Sequence, residues 1–185
     1  KRQDICFLKE DSLLNLWIGT QEGLAIYNRG EDNFTLIYHN NAPVQAKTAC
    51  LLTDGILFAG TGLWIYSYAD RQLHSLPIIN KGKAINDYFK YIKPWKKNTY
   101  VVGTQWKGVY LYHTDSHQLT PFTSCKKQHI SSYFIDKQKN LWLSPYGEGM
   151  ICYDVNGQEI ARYSTQNSDL CNDIILDMLI YKDEL

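Results

Sequence analysis

Asn15-Leu16-Trp17-Ile18-Gly19-Thr20-Gln21-Glu22-Gly23-Leu24-Ala25-Ile26-Tyr27-Asn28 sets one short apolar run against another across two polar residues and a glycine. Runs of this length, rich in β-branched and aromatic residues and bounded by turn signals, predict two antiparallel strands. The glycine before the second strand predicts a positive φ in a tight hairpin. The same signature returns three times. Its second half reads Gly62-Leu63-Trp64-Ile65-Tyr66, Gly108-Val109-Tyr110-Leu111-Tyr112 and Gly149-Met150-Ile151-Cys152-Tyr153. Its first half reads Leu57-Phe58-Ala59-Gly60-Thr61, Tyr100-Val101-Val102-Gly103-Thr104 and Leu141-Trp142-Leu143-Ser144-Pro145, which aligns Phe58 with Trp17. The tyrosines step by 39, 46 and 41 residues (27 to 66, 66 to 112, 112 to 153).

A third apolar run lies upstream of each pair, at Ile5–Leu8, Ala49–Leu52, Tyr88–Ile92 and Ser132–Ile135. A fourth, more polar run lies downstream, at Phe34–Tyr38, Leu73–Leu76, Leu119–Phe122 and Glu159–Tyr163. Asp11-Ser12-Leu13-Leu14-Asn15 and Asp136-Lys137-Gln138-Lys139-Asn140 supply turns into the second strand. No ten-residue stretch keeps a 3.6-residue period. Four strands in a unit of about 40 residues predict an all-β fold, a β-propeller of four four-stranded antiparallel blades. The blades fall at about residues 3–40, 47–77, 86–123 and 130–164 of a single partial propeller domain, and residues 173–181 are expected to form the inner strand of a fifth. The first strand of each unit is expected to be buried between neighbouring sheets, the fourth to face water.

The 185 residues are 44% hydrophobic, 21% charged and 14% aromatic, enough for a packed core. Lys+Arg and Asp+Glu balance at 19 each, which argues against nucleic-acid binding. The basic clusters Lys93, Lys96, Lys97 and Lys126, Lys127 are expected in solvated turns. No run of 18 apolar residues and no signal peptide is visible, and the chain opens directly in an apolar stretch, as a trimmed fragment would. The terminal Lys-Asp-Glu-Leu matches a retention signal, but the repeat register alone accounts for those residues. Of the five cysteines, Cys6, Cys50 and Cys152 are expected as small buried hydrophobes, while Cys125 and Cys171 fall in loops where a disulfide is conceivable. His113 and His117 stand four apart on a turn, not on a helix that would align them, so no metal and no other cofactor is expected. No nucleophile elbow, phosphate loop or zinc-protease motif occurs.

Asn15-Leu16-Trp17-Ile18-Gly19-Thr20-x-x-Gly23-Leu24-x-x-Tyr27-Asn28 and Asn140-Leu141-Trp142-Leu143-x-x-x-x-Gly149-x-x-x-Tyr153-Asp154 resemble the two-component regulator propeller repeat, and Asn172–Asp177 resembles its lead-in. The resemblance implies a fragment of the periplasmic sensor region of a Bacteroides-type hybrid two-component system. It implies further blades, a membrane helix and a histidine kinase elsewhere in the parent chain, and ligands that are often oligosaccharides. The expected role is non-catalytic: a ligand-sensing or scaffold fragment, not an enzyme. A protein–protein interaction propeller is the alternative, and a propeller-fold glycan hydrolase or lyase the third.

Propeller loops joining the second and third strands converge on one face, and recognition concentrates on such loops. Gln21 and Glu22, Gln105, Trp106 and Lys107, and Tyr146 and Glu148 are therefore the candidate ligand-binding residues. Aromatic faces and amide or carboxylate groups are what a sugar ligand uses. Trp17, Gly23, Tyr27, Gly62, Tyr66, Gly108, Tyr112, Trp142, Gly149 and Tyr153 are structural repeat positions. An open run of sheets exposes apolar faces, so the expected partners are the remaining blades and domains of the parent sensor, a possible oligosaccharide, and further copies of the fragment.

Overall fold

The short alternating runs become strands, and the turn chemistry between them fixes their order. The computed structural model describes residues 4–77, 79–80, 83–84, 87–126 and 129–179. All regular structure among these residues is β. The first sheet comprises β1 (Ile5–Glu10), β2 (Leu16–Thr20), β3 (Leu24–Asn28) and β4 (Asn33–Leu36), antiparallel and paired in that order. A small hairpin, β5 (Tyr38–His39) and β6 (Ala42–Pro43), leads to the second sheet. That sheet holds β7 (Ala46–Leu51), β8 (Gly55–Gly60), β9 (Leu63–Ser67) and β10 (Gln72–Leu76). A second small hairpin follows, β11 (Ile79–Asn80) with β12 (Lys83–Ala84). The third sheet holds β13 (Phe89–Lys96), β14 (Thr99–Thr104), β15 (Val109–His113) and β16 (Gln118–Pro121). The fourth holds β17 (Ile130–Ile135), β18 (Leu141–Pro145), β19 (Met150–Tyr153) and β20 (Glu159–Tyr163). The chain forms two compact units, Lys1–Ile92 and Lys93–Leu185.

One carboxylate organises the turn into β2. Asp11 accepts the backbone N–H groups of Leu13 and Asn15 through Oδ1, both at 2.9 Å. Its Oδ2 accepts the Asn15 amide at 2.9 Å and the Trp17 indole N–H at 2.8 Å. Leu14 closes this turn with φ of 64°. Asp136 repeats the device before β18, taking Asn140 N at 2.7 Å, the Asn140 amide at 2.9 Å and the Trp142 indole at 3.0 Å. Burial alone raises the Asp136 pKa; the hydrogen bonds from Trp142 and Asn140 outweigh it and hold the carboxyl below its usual range. A buried indole N–H needs an acceptor. The second and third sheets enter the same strand through shorter turns at Asp54 and Asn98, and the Trp position there carries Leu57 or Val101, which need none.

Leu57, and not Phe58, is the counterpart of Trp17. Both inner pairs carry a bulge, and across them Thr20 faces Ile5 as Gly60 faces Ala46. Counting back from those pairs matches Leu57 to Trp17 and Phe58 to Ile18. The Gly60-Thr61-Gly62 hairpin is one residue shorter than its counterpart, which misleads an alignment on Gly-Thr. A one-residue slip moves a side chain to the other face of the sheet. Phe58 therefore points back at the first sheet and meets the Trp17 ring with centroids 5.1 Å apart, while Tyr66 meets it edge-on at 4.8 Å. Trp17, Leu24, Val44, Ala46, Ile56 and Phe58 form the core of the first unit. In the second unit, Phe122 stands edge-on to both Trp95 and Tyr153, at 5.7 and 5.2 Å.

Several expectations are corrected. Residues 173–179 form no strand; residues 180–181 lie outside those described. The Asp173 carbonyl accepts Gly149 N at 2.8 Å and the Ile175 carbonyl accepts Ser144 Oγ at 3.3 Å, so this lead-in is tied to the fourth sheet without a ladder partner of its own. Lys93 and Lys96 lie on β13, not in a turn, because Trp95 between them is buried and donates its indole N–H to the Lys139 carbonyl at 2.8 Å. Lys126 is exposed in irregular backbone, and Lys127 lies outside the described residues. Cys6 is exposed and Cys50 half-buried, since Cys6 falls in the β1 bulge; Cys125 and Cys152 are buried thiols. β1 is far from buried: Ile5 and Leu8 are 61% and 59% exposed. A positive φ occurs at Gly108 and Gly149 but not at Gly23 or Gly62.

Candidate ligand-binding site

Three of the four β2–β3-type hairpins are closed by a hydroxyl staple, from Thr20, Thr104 and Ser144; the second sheet has Gly60 at that position. In the third sheet, Thr104 Oγ1 donates to the Gly108 carbonyl at 2.9 Å and accepts Lys107 N at 3.0 Å. Thr104 is wholly buried, so the three residues above it are lifted clear of the sheet. Trp106 sits at their tip with 57% of its surface exposed. In the fourth sheet, Ser144 Oγ donates to the Gly149 carbonyl at 3.0 Å, and Glu148 N to the Pro145 carbonyl at 3.1 Å. The loop turns through left-handed Gly147 and Gly149, with φ of 75° and 72°. It carries Tyr146, 55% exposed.

His129 joins the two loops. Tyr146 N donates to the His129 carbonyl at 3.0 Å, which fixes the residue before β17 against the fourth-sheet hairpin. The His129 ring stacks on Tyr146 with centroids 5.0 Å apart and planes 19° from parallel. Its other neighbour is Trp106, at 5.1 Å and 42°. Three rings thus stand in a row, Trp106–His129–Tyr146, and the outer two expose more than half their surface. Aromatic pairs of this kind contribute about 0.5–1.5 kcal/mol each beyond burial. That energy restrains the two exposed rings before any ligand arrives, which lowers the ordering cost of binding.

Of the residues singled out from sequence, the structure gathers Trp106 and Tyr146 into one shelf. It sets half-buried Gln105 and exposed Lys107 beside the first ring, and half-buried Glu148 beside the second, each on the same short loop. Gln21 and Glu22 belong to the first unit. There Gln21 donates its side-chain amide to Asp4 Oδ2 at 3.2 Å, and Glu22 N donates to Thr20 Oγ1 at 3.2 Å. That hairpin presents no aromatic ring. His129 was not singled out; it lies in an irregular lead-in with no repeat position, and only the pairing of Ile130 with Pro145 brings it beside Tyr146.

The repeat residues occupy equivalent register. Tyr27, Tyr66, Tyr112 and Tyr153 face Leu16, Ile56, Tyr100 and Leu141 across their second and third strands. The Tyr153 hydroxyl is pushed well above its usual range by burial first, then by Cys125. His117 and His113 serve local bonds: His117 Nδ1 meets the Tyr112 hydroxyl at 2.8 Å, and His113 Nε2 meets Thr120 Oγ1 at 2.9 Å.

No protein-family model matches the chain, and no curated protein resembles it in sequence. Solved structures do resemble it in fold. The extracellular domain of the putative hybrid two component system BT3049 from B. thetaiotaomicron matches with a TM-score of 0.67 and 20% identity, over 94% of this chain and 24% of that one. The corresponding domain of BT4673 from the same organism matches with 0.65 and 17% identity, over 93% and 23%. PorZ, a surface component of the type-IX secretion system of Porphyromonas gingivalis, matches with 0.70 and 14% identity, over 93% and 29%. The WD40 β-propeller domain of Doa1 matches with 0.60 and 9% identity. The chain spans about a quarter of the length of the two B. thetaiotaomicron domains.

Proposed function

We propose that the chain is a non-catalytic recognition segment of a sensor propeller of the hybrid two-component kind, located in the periplasm. Its ligand is an oligosaccharide stacked on the Trp106–His129–Tyr146 shelf. The observation that carries this reading is the shelf itself: two half-exposed rings, held in place by a third, on loops stapled to the strands beneath. Sugar rings present C–H faces to aromatic planes and hydroxyl rims to polar groups. Gln105, Lys107 and Glu148 supply donors and acceptors on the same loops. Likeness of fold to extracellular sensor domains supports the sensing role. In this reading, ligand binding shifts the balance between arrangements of the sensor's domains, which a histidine kinase elsewhere in the parent chain registers.

A thermal-shift screen with fragments of plant and host glycans tests the proposal. A binding fragment raises Tm by mass action. Trp106→Ala and Tyr146→Ala abolish that rise, whereas Gln21→Ala in the first unit leaves it. A panel that moves nothing, or a rise that survives Trp106→Ala, overturns the proposal.

A further inference from the structure

In the first and third sheets the repeat tyrosine has a partner in the turn before the fourth strand. Tyr27 donates its hydroxyl to Asp32 Oδ1 at 2.6 Å, and the Tyr112 hydroxyl meets His117 Nδ1 at 2.8 Å. Asp32 and His117 both hold left-handed backbone, with φ of 50° and 52°. In the second sheet the equivalent tyrosine is Tyr66, and the left-handed residue before β10 is Arg71, with φ of 56°. Asp32 and His117 can each accept a proton from the tyrosine. An arginine brings five donors and no acceptor. Tyr66 and Arg71 therefore both lack the acceptor that the other two sheets build in.

No protein group fills that gap. Among the described residues, neither the Tyr66 hydroxyl nor the Arg71 guanidinium makes a hydrogen bond or ion pair. Asp11 and Asp70 are close enough to act on Tyr66, yet both are engaged elsewhere. Asp70 accepts Gln72 N at 3.0 Å through Oδ1 and meets His74 Nε2 at 2.7 Å through Oδ2. Asp11 spends both oxygens on the turn that holds Trp17. Tyr66 and Arg71 line two clefts, one of about 500 Å³ walled by Leu36, Tyr38 and Leu73, the other of about 150 Å³ beside Asn15. The larger is of the size that takes small molecules. It lies between the outer strands of two consecutive sheets of one unit, where no further blade intervenes.

We propose that this cleft binds a small organic carboxylate, whose oxygens supply the missing acceptor to Arg71 and Tyr66 while its apolar body lies along Leu36, Tyr38 and Leu73. The planar guanidinium fork matches a carboxylate in two parallel hydrogen bonds. The site belongs to the first unit and is independent of the aromatic shelf on the second.

Amide NMR of the whole chain, titrated with phenylacetate, phenylacetamide and inorganic phosphate, tests this. Phenylacetate is expected to shift the Arg71 and Leu73 amides saturably. Phenylacetamide lacks the charge and phosphate lacks the apolar body; each is expected to bind at least about tenfold more weakly. Arg71→Asp installs the first sheet's pairing with Tyr66, and Arg71→Gly removes the guanidinium at a backbone position that suits glycine. Both variants are expected to keep the wild-type β circular dichroism and to lose at least about tenfold in phenylacetate affinity. A phenylacetate titration that leaves both amides unmoved, phenylacetamide or phosphate binding as tightly as phenylacetate, or either variant binding like the wild type each overturn the proposal.

Discussion

Asp11 and Asp136 each tie a turn, an asparagine and an indole to one carboxylate. Removing the Asp11 side chain strands the buried Trp17 N–H and two turn amides, so Asp11→Ala should cost about 1–3 kcal/mol in chemical denaturation. Leu13→Ala, which is exposed in the same turn, should cost little. The Asp136 carboxyl sits below its usual range when folded, so its contribution is complete above the ordinary carboxylate pKa and lost as pH falls through the folded value. Stability should therefore fall below about pH 4, and Asp136→Asn should flatten that part of the acid limb. Burial pushes the Cys152 thiol up to about 11. Alkylation of the native protein at pH 8 should thus label exposed Cys6 and Cys171 first and leave Cys152 unmodified, as peptide mass mapping would record.

Element by element, the hairpins were legible because Gly-apolar-x-apolar-Tyr fixes both a turn and an alternation. Where a loop changed length, sequence misplaced the register: the shortened Gly60-Thr61-Gly62 turn hid the pairing of Leu57, not Phe58, with the Trp position. Trp95 was missed because lysines flank it and it has no repeat counterpart. The fifth inner strand failed because a strand needs a ladder, and its apolar sequence cannot supply one. Glycine at 149 combines a left-handed φ with a Cβ direction that runs into the Tyr163 carbonyl. Gly149→Ala should destabilise the fourth sheet by more than about 1 kcal/mol. Gly30→Ala, with open space around it, should stay within about 0.5 kcal/mol in the same denaturation assay.

At the scale of the whole molecule, the sheets of each unit finish one another: Phe58 and Tyr66 of the second sheet cover Trp17 of the first, and Phe122 of the third meets Tyr153 of the fourth. This logic was readable from spacing alone. The ligand shelf was only partly so. Trp106 and Tyr146 stood out as aromatic loop residues, but sequence could not show that His129, from a third segment, locks them into one row. Nor could it show that Gln21 and Glu22 sit on a hairpin with no ring to stack on. Recognition of an oligosaccharide on that row is the claim on which the functional account rests. Indole and backbone amide NMR shifts, followed while a glycan fragment is titrated in, test it most directly. Of the five tryptophans, Trp106 is expected to move, together with the amides of His129 and Tyr146, while Trp17 and Trp95 stay still. Saturable shifts confined to the first unit, with Trp106 unmoved, would contradict it.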